Sequence, residues 1–184
     1  MFLNTVRIVI LLCVMLSWDS AFSAEPNRPF SIYKMDEVGL EVWVPERPKW
    51  IFQVEDRPNN VTALILNTPE LYYPNAAIEI ILNKNITVER KDLRTTSKAA
   101  MSEIRRSSGV LSPAQAVERV RYGDIEGYQD QFDVEYQGKP YTIQSIVGMF
   151  STGQVVSLLV TTPKGQVEHI EVMKAKIFRK LSIL

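Results

Sequence analysis

The sequence predicts an α+β fold in which helices cover the faces of an antiparallel sheet. Three observations support this. Short segments alternate polar and apolar residues, two other segments repeat apolar residues at three- and four-residue steps, and turn residues link the later strands in order. Strands and helices therefore segregate along the chain, and each helix is expected to lay one apolar stripe on a sheet.

Five short strands are predicted in the first half of the chain. Leu40, Val42 and Val44 alternate with Glu41 and Trp43, which is the period of a half-buried strand. The other candidates are SIYKM, KWIFQVE, VTALILN and the segment AAIEIIL at residues 76–82. Trp43 points away from the two valines, and we expect a further layer of the fold to bury it rather than leave it as an exposed contact.

Two amphipathic helices are predicted, one in the middle of the chain and one at its end. The stripe of the first is Leu93, Ser97, Ala100, Met101, Ile104 and Ser108, and Gly109 follows as a C-cap. The stripe of the second is Val167, Ile170, Met173, Lys174, Ile177, Phe178 and Leu181.

Between the helices, the period of two returns and predicts an antiparallel meander. AVERVRY is one strand, and YQDQFDVEY, KPYTIQSIVGMF and QVVSLLVTT follow it. Gln137 with Gly138, and Thr152 with Gly153, supply the turns between the last three strands.

Carboxylates in YQDQFDVEY are the first candidates for a functional site. The alternation places Asp133 and Glu135 on the polar face, where an ionised carboxylate costs little. Asp130 instead shares the face of Tyr128 and Phe132. Three explanations are open for Asp130: the strand frays there, a bulge turns the residue outward, or the carboxylate accepts a hydrogen bond beneath a helix.

The N-terminus predicts export. Arg7 and the apolar run VRIVILLCVML precede small residues at Ala21 and Ser23, as in a cleaved signal peptide at residues 1–23. Residues 24–30 are then a flexible lead-in, and residues 31–184 form one domain. The signal peptide predicts a periplasmic or secreted protein. Cys13 is the only cysteine, so the mature chain has no internal disulfide, and this favours a bacterial periplasm because most secreted domains of higher organisms carry disulfides.

The layout resembles the PsbP/Mog-type superfamily, and its exported bacterial DcrB-like branch in particular. The resembling segments are GLEVWVPERPKW, LRTTSKAAMSEI, the meander from GYQDQF to LLVTT, and the last helix ending in KIFRKL. Together they cover most of residues 31–184. The resemblance implies an α/β/α sandwich and a binding, assembly or chaperone module rather than an enzyme, and it transfers no site residues.

The residues themselves also provide little for catalysis, metals or cofactors. His169 is the only histidine, no Gly-x-Ser-x-Gly motif occurs, and clustered Cys and His ligands are missing. A hydrolase or small-ligand enzyme using Asp130, His169 and hydroxyl residues is the minor alternative. Asp124, Glu126 and Asp130 form either a cation-binding turn or a plain acidic turn. No cofactor or metal is predicted.

The predicted function is therefore the binding of a protein partner. Tyr72 and Tyr73 lie between two prolines in a loop, where aromatic side chains suit recognition unless they fold back over the core. The protein would act in the periplasm as an assembly factor, chaperone or accessory subunit, or as an immunity protein against a toxin. The chain has 21 basic and 21 acidic residues, so no overall charge draws it to nucleic acid or to a membrane, and no membrane span is expected in the mature chain.

Overall fold

The computed structural model describes residues 29–36, 39–110 and 117–184, with the backbone alone at residues 84 and 85. Within these ranges, the elements are β1 (Phe30–Met35), β2 (Leu40–Pro45), β3 (Ile51–Arg57), β4 (Val61–Asn67), β5 (Ala77–Thr87), α1 (Leu93–Ser107), β6 (Glu118–Tyr122), β7 (Ile125–Tyr136), β8 (Lys139–Met149), β9 (Gln154–Pro163), α2 (Val167–Arg179) and β10 (Ser182–Ile183). A 3-10 turn at Arg90–Asp92 leads into α1. The predicted α+β class is confirmed.

The strands form two sheets, and all their pairings are antiparallel. The larger sheet has seven strands in the order β3-β4-β5-β9-β8-β7-β6, and the smaller has three in the order β1-β2-β10. On one face of the large sheet, α1 packs against β7 and β8, and on the other face α2 packs against β9 and β6. The small sheet shares the second outer layer with α2. The fold is thus a three-layer sandwich, as the sequence resemblance predicted.

The main core lies between the large sheet and this second layer. A row of aliphatic side chains crosses the sheet in register, with Leu64 opposite Ile80, Ile80 opposite Leu158, and Leu158 opposite Ile146. All four are fully buried. Ile170, Ile177 and Phe178 of α2 pack on the same core, so the stripe predicted for the second helix is the face that docks.

A smaller apolar cluster lies under α1 on the opposite face. Met101 packs on Val147, and both are fully buried. Ser97 occupies an apolar position of the stripe because its hydroxyl donates to the Val147 carbonyl at 3.0 Å. A buried hydroxyl with such a partner avoids the cost of desolvation.

The hairpin between β7 and β8 has the geometry that its sequence predicts. Gln137 (φ 51°) and Gly138 (φ 71°) are both in the left-handed region, as a two-residue turn with a primed backbone requires. The twelve-residue β7 pairs with β8 from Glu126 to Tyr136 without a break.

Several boundaries differ from the prediction. The fifth strand runs to Thr87 rather than ending at residue 82, because Thr87 pairs with Gln154 of β9 beyond a register shift that follows Leu82. Similarly, β7 begins at Ile125, immediately after the turn at Gly123. The sequence analysis did not predict β10, whose two residues pair with Glu41 and Leu40 of β2.

The prediction that Trp43 is buried is wrong. Trp43 lies on the outer face of the small sheet and is half-buried, because no helix covers this face among the described residues. Its indole nitrogen donates to Glu41 at 2.9 Å, and Lys180 Nζ sits 4.7 Å from the ring centroid. Side-chain contacts of this kind suit an aromatic ring at a solvent boundary.

The predicted signal peptide and most of the lead-in lie outside the described residues, and β1 begins at Phe30, the last residue of the lead-in. No described helix is both long enough and apolar enough to span a bilayer.

Candidate partner-binding site

The loop at residues 68–76 joins β4 to β5 and is closed at its base. The Thr68 amide donates to the Ala76 carbonyl at 2.9 Å, and the Ala76 amide donates to the Thr68 hydroxyl oxygen at 2.8 Å. Inside the loop, the Tyr72 amide donates to the Pro69 carbonyl at 2.9 Å, and Pro74 is buried. These contacts hold both ends and the centre of the loop against the protein.

The two tyrosines predicted to bind a partner have different environments. Tyr72 folds back over the core and meets the buried Trp50 edge-on, with ring centroids 6.2 Å apart. Tyr73 points outward and is 66% exposed, and Leu71 is 99% exposed. Tyr72 therefore anchors the loop, while Leu71 and Tyr73 present apolar surface to solvent.

Helix α2 extends this exposed surface. The Tyr73 ring lies 5.4 Å from the ring of His169, centroid to centroid. Val172, one helical turn further along, is 69% exposed and lies on the same side of the helix. We call the set Leu71, Tyr73, His169 and Val172 the loop–helix surface. Leu71 and Val172 were not predicted from the sequence. Leu71 lies in the same proline-flanked loop as the two tyrosines, and the only sign of Val172 in the sequence is that it is an apolar residue off the apolar stripe of α2.

Asp130 is buried beneath α1 and paired. Its Oδ2 accepts a hydrogen bond from Arg105 Nη1 at 2.8 Å, and the Arg105 guanidinium also lies 4.9 Å from the Phe132 ring centroid. Of the three explanations left open by the sequence, the structure supports a carboxylate satisfied beneath a helix. Asp130 thereby joins α1 to β7.

Asp130 and His169 lie on opposite sides of the large sheet. Asp130 faces α1, whereas His169 belongs to α2, which packs on the other face. The hydrolase arrangement that combined these two residues is therefore not formed, because the sheet separates them.

The acidic turn near Gly123 directs its carboxylates to separate partners. Asp124 accepts a hydrogen bond from the Ser151 hydroxyl at 2.8 Å. Glu126 pairs with Arg119 and with Arg90, and the hydrogen bond from Arg119 is the main cause that lowers the Glu126 pKa. Among the described residues, no cluster of three or more His, Cys, Asp or Glu side chains could hold a metal ion.

Lys174 is a buried charge on the apolar stripe of α2. Its Nζ donates to Gln144 Oε1 at 2.7 Å and pairs with Glu171 at 2.5 Å. The ammonium also lies 5.6 Å from the Tyr122 ring centroid. The sequence places Lys174 on the core-facing stripe, which is the only local sign of this arrangement. These contacts connect α2 to β8 and β6.

Asp133 is on the solvent side of β7, as the alternation predicts, and it ties β7 and β8 to the turn before α2. Its carboxylate pairs with Lys164 at 3.0 Å and accepts a hydrogen bond from the Thr142 hydroxyl at 2.8 Å. Hydrogen bonding from Lys164, and then from Thr142, lowers the pKa of Asp133 from its ordinary value of 3.8. These partners favour the ionised form.

We expect Asp133→Asn to lower the free energy of unfolding at neutral pH by at most about 1 kcal/mol, because exposed ion pairs are screened by solvent and this side chain is 47% exposed. The folded-state pKa is depressed, so the stabilisation is present above the unfolded pKa and is lost as pH falls through the folded pKa. Urea unfolding of both proteins at a series of pH values checks this. A difference that stays constant into acid would contradict the assignment.

Comparison with known proteins shows the fold. No protein-family model and no curated protein matches the chain. A crystal structure from Bacteroides thetaiotaomicron is similar at 11% identity with a TM-score of 0.55, over 85% of this chain and 49% of that one. The chain thus spans about half the length of that protein.

Two other solved structures match over most of both chains. The solution structure of cyanobacterial PsbP from Synechocystis matches at 10% identity and a TM-score of 0.45, over 90% of this chain and 98% of that one. LpqN, which is involved in cell envelope biogenesis of Mycobacterium tuberculosis, matches at 14% identity and a TM-score of 0.42, over 86% and 87%.

Proposed function

We propose that this protein is an exported, non-enzymatic domain that binds a protein partner through the loop–helix surface. It would act in the periplasm as an assembly factor, chaperone or accessory subunit. The observation that carries the proposal is the near-complete exposure of Leu71 beside Tyr73 on a loop closed by hydrogen bonds at Thr68 and Ala76.

Exposed apolar side chains favour binding most when they are already held in place. Tyr72 on Trp50 and the buried Pro74 fix the loop from beneath, so little conformational entropy remains to be lost on association. Binding hot spots are enriched in tyrosine, whereas leucine is under-represented in them. Of the two exposed side chains, Tyr73 is therefore the one expected to contribute most to binding.

The test compares two surface variants with the wild-type protein. Partners captured by cross-linking the tagged protein in its own cell envelope are identified by mass spectrometry, and the strongest is purified for titration calorimetry. We expect Leu71→Asp with Tyr73→Ala to weaken binding at least about tenfold, since loss of a hot spot costs roughly 2 kcal/mol or more. Ile86→Asp is the matched control, because Ile86 is an exposed apolar residue outside this surface.

Tyr72 is deliberately left intact in this experiment, because its removal from Trp50 would disturb the loop and the core together. If the double variant binds its partner as tightly as the Ile86→Asp control, the loop–helix surface is not the binding site. The identity of the captured protein separates the roles: a toxin would indicate an immunity protein, and a subunit of an envelope complex would indicate an assembly or accessory role.

A further inference from the structure

The outer edge of β3 is open to a further strand. β3 ends the seven-stranded sheet and, among the described residues, pairs with β4 alone. Ile51 is 54% exposed and Val54 is 51% exposed. The backbone amide and carbonyl groups on the outer side of an edge strand are ready to pair with another strand.

The opposite edge of the same sheet is protected in a way that β3 is not. β6 has only five residues, and Glu118, Arg119 and Arg121 are exposed charged side chains on it. Short, charged edges discourage pairing with another chain. β3 has seven residues, and its charged residues are confined to the last three, Glu55, Asp56 and Arg57.

β3 is also held in place from the inside. Phe52 packs against Tyr33 of β1, with ring centroids 4.6 Å apart. Arg57 pairs with Glu79 of β5 at 2.6 Å and with Glu55 at 3.1 Å. These contacts order the strand before any partner arrives, which reduces the entropy lost on pairing.

We propose that two copies of this protein associate through β3, forming an antiparallel β3–β3 pair around a two-fold axis. Residues directly opposite each other in an antiparallel pair point to the same face. Neighbouring residues of a strand point to opposite faces, so in a two-fold symmetric pair no residue can lie opposite the copy of its neighbour. One residue must therefore lie opposite its own copy, at the two-fold axis. The candidates at the middle of the strand are Gln53, Val54 and Glu55.

Charge complementarity selects Val54. A pair centred on Glu55 sets two carboxylates directly against each other, and a pair centred on Gln53 brings Arg57 opposite Lys49. Like charges placed directly opposite each other are destabilising. A pair centred on Val54 uses all seven residues of β3 and sets valine against valine at the axis.

The other contacts of this register contain no like charges. Gln53 faces Glu55 of the other copy, so an amide meets a carboxylate. Ile51 faces Arg57 and Phe52 faces Asp56. The dimer does not depend on the loop–helix surface, and its failure would leave the proposed partner site untouched.

Analytical ultracentrifugation over a range of protein concentrations tests the dimer. We expect the wild-type protein to dimerise and Val54→Lys, which places two cations together at the axis, to raise the dimer dissociation constant at least about tenfold. Ile86→Lys is the control, because it adds the same charge at an exposed apolar residue that lies outside both β3 and the loop–helix surface. Thermal unfolding by circular dichroism checks that each variant is folded.

Cysteine cross-linking tests the register, in a Cys13→Ser background that has no other cysteine. Val54→Cys should form an intermolecular disulfide under mild oxidation, whereas Gln53→Cys or Glu55→Cys alone should not. A mixture of the last two should cross-link, because residues 53 and 55 face each other. A monomeric wild type, a dimer unaffected by Val54→Lys, or equal cross-linking of all three single variants would overturn the proposal.

Discussion

Asp130→Ala is expected to lower the free energy of unfolding by about 3 kcal/mol, because removing one partner of a buried ion pair leaves the other charge poorly compensated. The carboxylate and the Arg105 guanidinium are both well buried, with side chains 5% and 12% exposed. Arg105 would lose its hydrogen bond to β7, and α1 would lose a polar contact with the sheet. Urea unfolding followed by circular dichroism gives the difference.

Glu103→Ala is the control for this prediction. It removes the carboxylate of another ion pair on the same helix, Arg106–Glu103, whose two side chains are more than half exposed. Solvent screens this exposed pair, so its loss should cost much less than the loss of Asp130. If Asp130→Ala were no more harmful than Glu103→Ala, the buried pair would not be holding α1 on the sheet.

The same pair offers a second measurement. Replacing both partners with apolar residues, Arg105→Met with Asp130→Leu, should cost less than the sum of the two single replacements, because neither buried charge is then left behind. Additive costs would mean that Asp130 and Arg105 act independently, in spite of the 2.8 Å hydrogen bond between them.

Phe178→Ala should be at least as damaging, with an expected loss of about 3–5 kcal/mol in the free energy of unfolding. Phe178 is fully buried at the end of α2, and its ring meets Tyr122 of β6 edge-on at 5.4 Å between centroids. The truncation removes apolar burial and an aromatic contact, and it leaves a cavity between α2 and the sheet. Chemical denaturation measures the loss.

Val172→Ala is the matched control for Phe178→Ala, because it truncates an exposed apolar residue on the same helix. A surface change of this kind should alter stability by no more than about 0.5 kcal/mol. Equal effects of the two variants would contradict the assignment of Phe178 as the residue that fastens the end of α2.

Much of the fold follows from local patterns. Alternation places Leu64, Ile80 and Leu158 on faces that the structure buries, because successive side chains of any strand point to opposite sides. The turn at Gln137 and Gly138 fixes the register of β7 against β8, since a two-residue loop leaves little freedom in pairing. The stripe of α2 through Ile170 and Ile177 packs on the sheet because apolar residues spaced three and four positions apart lie on one side of a helix.

Pairing between distant segments does not follow from local patterns. β10 has only two residues, and it is a strand because Ser182 and Ile183 reach β2, far earlier in the chain. The same pairing adds the third strand to the small sheet. Trp43 was misplaced for this reason, since its burial depends on what lies outside the small sheet.

The candidate site was predicted in part. The proline-flanked loop was predicted to bind a partner. The different environments of Tyr72 and Tyr73, however, depend on Trp50, more than twenty positions away. The extension of the surface to Val172 depends on how α2 lies beside the loop. No pattern within the loop could distinguish the tyrosine that anchors from the tyrosine that is exposed.

The helices, most of the strands, their hairpins and the face that each presents to the core follow from the sequence alone, because side-chain periodicity is a property of neighbouring residues. Three features could be seen only in the folded structure: Asp130 meets Arg105, Lys174 is buried with Gln144, and β3 has β4 as its single neighbour among the described strands. Each of these features depends on segments that are distant along the chain and adjacent in space, because side chains are buried and strands are paired only where folding brings such segments together.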